Sequence, residues 1–586
     1  LDIAAMLRTE VTEKRIGALA DHTDPKCPLC ILISTCIANS WGAGWDTARV
    51  CAAAAKAPEL FAQSRSPLTV KTTTNKRNGG RTEHPQPRLL LAISERPPEF
   101  KLNRASIRQL DRGRGLTRFI IGEIETLPGD EDGEDGEDDA RLLPRRHVGP
   151  SVDTELVKHW IETCKKQHLH GHPQRQDGGG GLFGTEHPFR LVDVVDECLV
   201  QKRDECAYAA LSYVWGRIPT IRFPDETGGH GDSGLMPILL AMQSNVARLS
   251  QPGSLSATQP ISRATGVVPA TVRDAMEMTR RLGMRYLWVD TLCIVQDDSS
   301  DVARLIGRMD DIYNDAAVTL VAAAGADAHA GLRGVSPRAG RPVAPVTITI
   351  PLDGSETTKE GLVQEQVLRL SVCLPSLCEE VRKSTWNSRG WTFQEQSLSR
   401  RCLYFTAEET FFCCSDAQWR EGYDYYGESY YGGEDNKTKQ KYYTSVQFRT
   451  GPPWWTNNLR RDLDPTPYHY LGGSGAHDDE LDILDYQKAV QDYTRRELTK
   501  QSDALNAFEG VLNRFNRLGR SAADDDQEGK RDSALGASQT QGIPTRLLFQ
   551  ALLWFPSAAA KRRVVEQNSS VSFSSWSWYV FTYSMC

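Results

Sequence analysis

Between Cys206 and Gly325 the chain alternates buried-strand patterns with amphipathic helical ones, and this alternation restricts its fold more than any other feature. "CAYAALSYVWG" (206–216) is a short apolar run closed by Trp-Gly, the pattern of a buried strand. A polar span rich in Gly, Ser and Gln follows over 224–266. Pro269 then opens a helix in the first turn, where its missing N–H is harmless. Val272, Ala275, Met276, Thr279 and Leu282 mark its buried side, and Gly283 stops it. "RYLWVDTLCIVQDD" (285–298) is the second strand, with an aspartate and a cysteine set into an apolar run. "SSDVARLIGRMDDIYNDAA" gives a second helix whose stripe is Val302, Leu305, Ile306, Met309, Ile312, Tyr313 and Ala316, capped by Ser300 or Asp301. "AVTLVAAAG" is the third strand. Strand, helix, strand, helix, strand argues for an α/β core with a mostly parallel sheet and flanking helices, Rossmann-like in outline. Reactive residues in such sheets collect past the carboxyl ends of the strands, where Asp290 to Gln296 would sit.

The flanks are less regular. Residues 1–150 read as a loosely organised N-terminal region: a short helix in "CPLCILISTCIANS", a polar stretch over 62–88, and strands in "RLLLAISE" and "RGLTRFIIGEIETL". An acidic linker closes it near 129–140, where eight of the ten residues from Asp130 to Asp139 are acidic and repel one another. The core is expected over 151–420. It opens with a helix in "DTELVKHWIETCKKQH", which a glycine run separates from a strand pair in "FRLVDVVDECLV". Beyond "GLRG" the pattern changes. "VTITIPLDG" and "QVLRLSVCLP" alternate like antiparallel strands, and "NSRGWTFQEQSLSRRCLYFTAEETFFCC" holds a short helix and a hairpin over 402–406 and 410–414. Residues 421–586 form a mixed, helical and aromatic-rich extension packed on the core, with a helical break near 499–502 and "SFSSWSWYVF" folding back.

At 586 residues the chain is long enough for two to four domains. With 69 basic against 76 acidic side chains the formal charge is −7, which gives no global attraction to nucleic acid or anionic membrane. No apolar run reaches the length of a membrane span. Fourteen cysteines without regular spacing read as reduced thiols, so a cytoplasmic protein is expected. The chain opens on Leu1 and reads as a piece of a longer product. Walker-type loops, dinucleotide fingerprints, GxSxG elbows and HExxH are absent from the sequence.

Three segments, in this order and at this separation, resemble the fungal heterokaryon-incompatibility (HET) domain: "YAALSYVWG" (208–216), "RYLWVDTLCIVQDD" (285–298) and "RGWTFQEQSLSRRCLYF" (389–405). "YTRRELT", "LNAFEGVL", "ALLWFP" and "SSWSW" are similar to the C-terminal continuation of such proteins. The resemblance spans roughly 155–586. It implies an effector in nonself recognition between fungal strains, ending in growth arrest or programmed cell death. It also implies a distant likeness to TIR domains, whose NAD-cleaving members place a glutamate on a helix after a middle strand. This chain departs there, since 301–314 carries Asp310 and Asp311 but no glutamate.

Each candidate site has a functional and a structural reading. Asp290 orients a ligand or acts as a base, or its carboxylate caps the following turn. Cys293, between Leu292 and Ile294, is a nucleophile or a small buried hydrophobe, and Gln296 lines the same mouth. Tyr213, Trp215 and Gly216 close the first strand, where the two aromatics share a face as a wall for a nucleotide base or peptide, or as core. Arg389, Trp391, Gln394 and Glu395 form a third group. An inward Glu395 needs a partner such as Arg389, Arg400 or Arg401; without one its pKa rises and it becomes an acid/base candidate. An enzyme of this kind, a nucleotide or NAD glycohydrolase, would use Glu395 and Asp290 as its catalytic carboxylate pair. Cys27, Cys30, Cys164 and His168 together make a Cys3His set suited to structural zinc, although their halves lie far apart. The alternatives to catalysis are an effector working by regulated self-association or contact with a protein partner, and a protein whose motif residues are purely structural.

Overall fold

The computed structural model describes residues 14–41, 46–54, 57–65, 88–94, 107–108, 118–127, 148–167, 182–183, 189–216, 238–256, 266–341, 347–357, 363–372, 374–375, 377–414, 418–422, 426–427, 442–443, 483–517, 543, 561–564, 578 and 581–582. The acidic block and the glycine run lie outside the described residues. The chain divides into two compact units, one formed by 1–148, 343–376 and 422–444, the other by 149–342, 377–421 and 445–586.

The first unit is built on an antiparallel sheet. Its path runs Lys14–Ala18, Glu59–Arg65, Arg88–Ile93, Arg118–Leu127, Val363–Val372 and Thr347–Thr357, with Ile107–Arg108 also pairing to Arg118–Leu127. The two alternating segments after "GLRG" thus form the expected antiparallel pair, and they join strands from the N-terminal region. The helix Pro28–Trp41 packs on this sheet and buries Leu32, Ile33, Cys36 and Ile37.

The second unit holds the α/β core. Its strands are β1 (Phe189–Asp193), β2 (Cys198–Lys202), β3 (Tyr208–Ser212), β4 (Tyr286–Trp288), β5 (Val318–Val321), β6 (Arg401–Phe405), β7 (Thr410–Cys414) and β8 (Gln418–Arg420). They lie in the order β8-β7-β6-β5-β3-β4-β1-β2. Only the three central pairings, β6/β5, β5/β3 and β3/β4, are parallel. β4/β1, β1/β2, β6/β7 and β7/β8 are antiparallel. The sheet is therefore mixed, and the expectation of a mostly parallel sheet is corrected. Four parallel strands form its centre, and a hairpin-based ribbon extends it on each side because short turns can join only antiparallel neighbours.

Helices cover the core: α1 (Thr154–Gln167), α2 (Ala270–Arg281), α3 (Ser299–Ile306), α4 (Met309–Asp315), α5 (Leu377–Lys383), α6 (Trp391–Leu398), α7 (Ile483–Thr494) and α8 (Asn506–Arg517). Pro269 stands just outside α2 as its N-cap, with extended φ and ψ, and Gly283 takes a φ of +79° after the helix ends. The single helix expected over 301–314 is two, because the chain leaves the α ladder at Gly307 and Arg308. The cap of α3 is Asp298, whose carboxylate accepts from the N–H groups of Ser300 and Asp301 at 3.0 and 3.2 Å. Trp578, from the aromatic C-terminal segment, is fully buried and donates to the Tyr486 hydroxyl on α7 at 2.5 Å.

In the central four strands, β3 lies between its two successors β4 and β5. The strand order therefore reverses between β3 and β5, and in open α/β sheets ligands bind past the carboxyl ends of the strands at such a reversal. Ser212 is the last residue of β3.

Candidate functional site

Ser212 and Tyr213 leave β3 in extended backbone, so their side chains point to opposite faces. Tyr213 packs into the larger core with Trp215 against it, while Val214 turns to the smaller core formed with Trp386 and Tyr404. Gly216 adopts a φ of +98°, and a Cβ there would lie 2.6 Å from the Cβ of Asp327, so the turn after Trp215 requires glycine.

Asp290 lies two residues beyond β4, at the start of one helical turn over Asp290–Cys293. Its Oδ1 accepts from the Thr291 N–H at 2.7 Å, and its Oδ2 from the Trp215 indole N–H at 2.9 Å. Tyr213 adds a further hydrogen-bonding interaction, and its hydroxyl pairs with Thr291 Oγ1 at 2.9 Å. These donors favour the carboxylate, but the surrounding protein outweighs them and pushes its pKa up to about 6. The residue keeps partial solvent access.

Glu395 sits on α6, which packs against β3, α4 and α8. It is only 6% exposed. The Ser212 hydroxyl donates to its Oε2, and the Trp386 indole N–H donates to Ser212 Oγ at 2.7 Å. Tyr313 faces the same carboxyl from α4, with its ring edge-on to Trp288 at 5.5 Å. No lysine or arginine forms an ion pair with Glu395 among the described residues. Arg389 donates to Thr499 Oγ1, Arg400 to the Asn314 carbonyl and Arg401 to Cys164 Sγ. Burial, reinforced by the charge of Asp290, pushes Glu395 up to about 8 against the opposing effects of Ser212, Arg496 and Tyr313.

The structure thus brings Asp290, Glu395, Tyr213 and Trp215 together. Between about pH 6 and 8 one carboxyl of the pair is ionised and the other holds a proton, the division of labour that acid/base chemistry requires. Tyr213 and Tyr313 are held neutral, burial raising both hydroxyls.

Other candidates lie elsewhere or hold the frame. Cys293 folds its thiol back onto the strand, 3.3 Å from the Val289 N–H, and burial pushes it up to about 12, so it is no thiolate. Gln296 locks the turn, its amide donating to the carbonyls of Asp290 and Ile294 at 2.9 and 3.1 Å. Trp391 begins α6 and packs against the core, while Arg389 turns to the C-terminal segment. Cys27 and Cys30 interact with each other at the start of a first-unit helix, Cys164 belongs to α1 of the second unit, and His168 lies outside the described residues. Among the described residues no three His, Cys, Asp or Glu side chains gather as a metal site.

Ser212, Thr291, Tyr313, Trp386 and Arg496 are members of the site that sequence reasoning did not single out as such. Tyr313 was legible only as part of an apolar stripe, and Ser212 only as a letter inside a buried strand.

Residues 208–395 match the family model described as Heterokaryon incompatibility protein (HET). No curated protein and no solved structure matches the chain, so the expected likeness to TIR domains rests on the sequence resemblance alone. No helix among the described residues is long and apolar enough to cross a membrane. The matched segment begins at the first residue of β3 and ends at Glu395, enclosing every strand end and turn that builds the carboxylate site except its C-terminal support. Over residues 208–395, less than half of its length, the chain is thus similar to the heterokaryon incompatibility family.

Proposed function

We propose that the protein is an effector of fungal nonself recognition whose HET core cleaves an N-glycosidic bond, with a nucleotide or NAD as substrate, and that this activity drives the cell-death response. The observation that carries the reading is that Asp290 and Glu395 lie within each other's electrostatic reach in an otherwise apolar core, with Tyr213 near both and raised pKa values that separate their protonation states. Asp290, ionised and in partial contact with solvent, stabilises the oxocarbenium-like centre at the ribose and orients water. Glu395, protonated and held by Ser212, supplies a proton where the departing base needs one. Trp215, anchored through its indole N–H, offers a flat apolar face beside the acid. Partner contact or self-association is the switch that brings the core into action.

The test is direct. Purified protein is incubated with NAD, NADP and ATP, dilute and concentrated, and released nicotinamide or adenine is followed by chromatography. Turnover that falls by ~10²-fold or more in both Glu395→Gln and Asp290→Asn is the expected result. Absence of turnover in every form of the wild type refutes the enzymatic reading; turnover that survives both substitutions refutes these residues. Light scattering across the same concentrations reads the self-association.

A further inference from the structure

Beyond the matched segment, the chain returns to the helix that carries Glu395. Residues 496–498 run alongside the entry to α6: Gly390 N–H donates to the Glu497 carbonyl at 2.7 Å and Glu497 N–H to the Ser388 carbonyl at 2.5 Å, so that Arg389 and Glu497 form a parallel β-bridge. A Cβ on Gly390 would lie 2.5 Å from Leu498 Cδ2, so the close approach is built on that glycine. This contact directs Arg496 into the protein, where it is 7% exposed. Its Nη1 donates to Thr392 Oγ1 at 3.0 Å and to the Arg389 carbonyl at 3.4 Å, and its Nη2 to Asn387 Oδ1 at 2.8 Å and Gln396 Oε1 at 3.5 Å. The guanidinium also lies over the Phe393 ring, 5.0 Å from its centroid.

Every one of these partners is neutral. A buried cation whose hydrogen-bond partners are all neutral carries a desolvation cost of several kcal/mol, and burial pulls this one down to about 10 against the opposing charge of Asp492. Thr392 and Gln396 stand three residues before and one after Glu395 on α6, so the charge is fixed at the root of that carboxyl. The charged and titratable groups that face Arg496 are Asp492, Tyr404, Tyr493 and Glu395. Those that face Glu395 are Asp290, Arg496 and Tyr313, with the Ser212 hydroxyl in direct contact.

We propose that Arg496 is a positioning residue for Glu395: clamped behind α6 by the 496–498 bridge and hydrogen-bonded to Thr392 and Gln396 on either side of it, its guanidinium supplies a buried positive charge that acts on this carboxyl. The HET site is therefore bipartite, and the segment beyond the matched residues completes it. The inference rests on the carboxylate-pair reading for its consequence in catalysis, but the electrostatic coupling is measurable without turnover.

The experiment follows the protonated-carboxyl C=O band of Glu395 by infrared difference spectroscopy of the full chain across pH, the band being assigned by its loss in Glu395→Gln. In Arg496→Gln, which keeps amide hydrogen bonds but no charge, the midpoint is expected to rise by at least ~1 pH unit, a tenfold change in the acid constant. Arg496→Lys, which keeps the charge, should leave the midpoint near the wild-type value. Asn387→Asp sets a carboxylate beside Nη2 with almost no change in shape and should move the midpoint upward even if Arg496→Gln does not fold. Midpoints unchanged in folded Arg496→Gln, or in Asn387→Asp, overturn the proposal, because a purely structural arginine would alter stability and leave the band alone. A shifted midpoint in a protein that releases no nicotinamide or adenine upholds the coupling and refutes the glycohydrolase reading; turnover with an unmoved midpoint does the reverse.

Discussion

Raising the pH should weaken the fold through Glu395, and replacing that residue by glutamine should remove the effect. The carboxyl titrates at 4.5 in a solvated chain and at about 8 inside the protein. A group whose folded pKa is raised contributes its full stability below the lower value and loses it as pH climbs through the higher one. Allowing for partial ionisation of the unfolded chain at pH 5 and of the folded protein at pH 8, the loss between them is about 3.5 kcal/mol. Asp290 acts in the same direction, from 3.8 to about 6, but it is present in both proteins and its own share cancels in the comparison. Urea unfolding followed by tryptophan fluorescence at pH 5, 6.5 and 8 reads the difference between wild type and Glu395→Gln at each pH. At pH 5 the two should be close, since a protonated carboxyl and an amide both accept from Ser212. At pH 8 the variant should be the more stable by roughly 3 kcal/mol. A difference that does not change with pH, or a variant less stable throughout, would refute the argument that Glu395 is buried without an adequate counter-charge.

Turnover of a nucleotide substrate should give a bell-shaped pH profile with limbs near 6 and 8, and Asp290→Asn should abolish the acidic limb along with most activity, as read from kcat/KM across pH. Trp386→Phe removes the indole N–H that donates to Ser212 and leaves unfilled volume beside Tyr404; a loss of ~2 kcal/mol by thermal or urea unfolding is expected, and no loss would mean Ser212 is oriented by Glu395 alone. Gly510→Ala gains ~1 kcal/mol of helix propensity in α8. Its Cβ, however, would meet Leu398 Cδ1 at 2.8 Å, Asp310 Cβ at 3.0 Å and Gln394 Oε1 at 3.1 Å, and such crowding costs ~1–3 kcal/mol, so net destabilisation is expected.

The sequence was most readable where local pattern and burial agree. The strand before Trp215 and the turn at Asp290 follow from apolar runs and punctuation, and the inward set of α6 from the spacing of Trp391, Glu395 and Leu398. What local pattern does not carry is pairing direction. "FRLVDVVDECLV" reads as two strands whichever edge they join, and only the fold sets β1 antiparallel to β4, which turns a parallel sheet into a mixed one. The break at Gly307 was hidden because an apolar stripe continues through it in phase. Arg496 was illegible for a different reason. "YTRRELT" has the composition of a solvated helix end, and nothing within it reveals that one of its two adjacent arginines turns inward through a bridge to a residue more than a hundred positions away.

The partners of Glu395 bear on whether the site is scaffold or function. Structural buried glutamates are commonly matched by a cation in direct contact, and breaking such a pair costs ~3–5 kcal/mol. Here the cation that acts on it, Arg496, is hydrogen-bonded to neutral oxygens and lies over an aromatic face, while a second carboxyl, Asp290, opposes its ionisation. An apolar side chain of similar volume in place of Glu395 would relieve the desolvation and stabilise the unit. Arg496 would then be left with the same neutral partners it already has. Neither charge is required by the other to hold the fold together, yet each sits within the other's field. Groups that weaken the folded state at neutral pH, lying past the carboxyl ends of β3 and β4 with one of the two residues only partly buried, fit the reactive site proposed above, since a well-packed core has no need of perturbed pKa values.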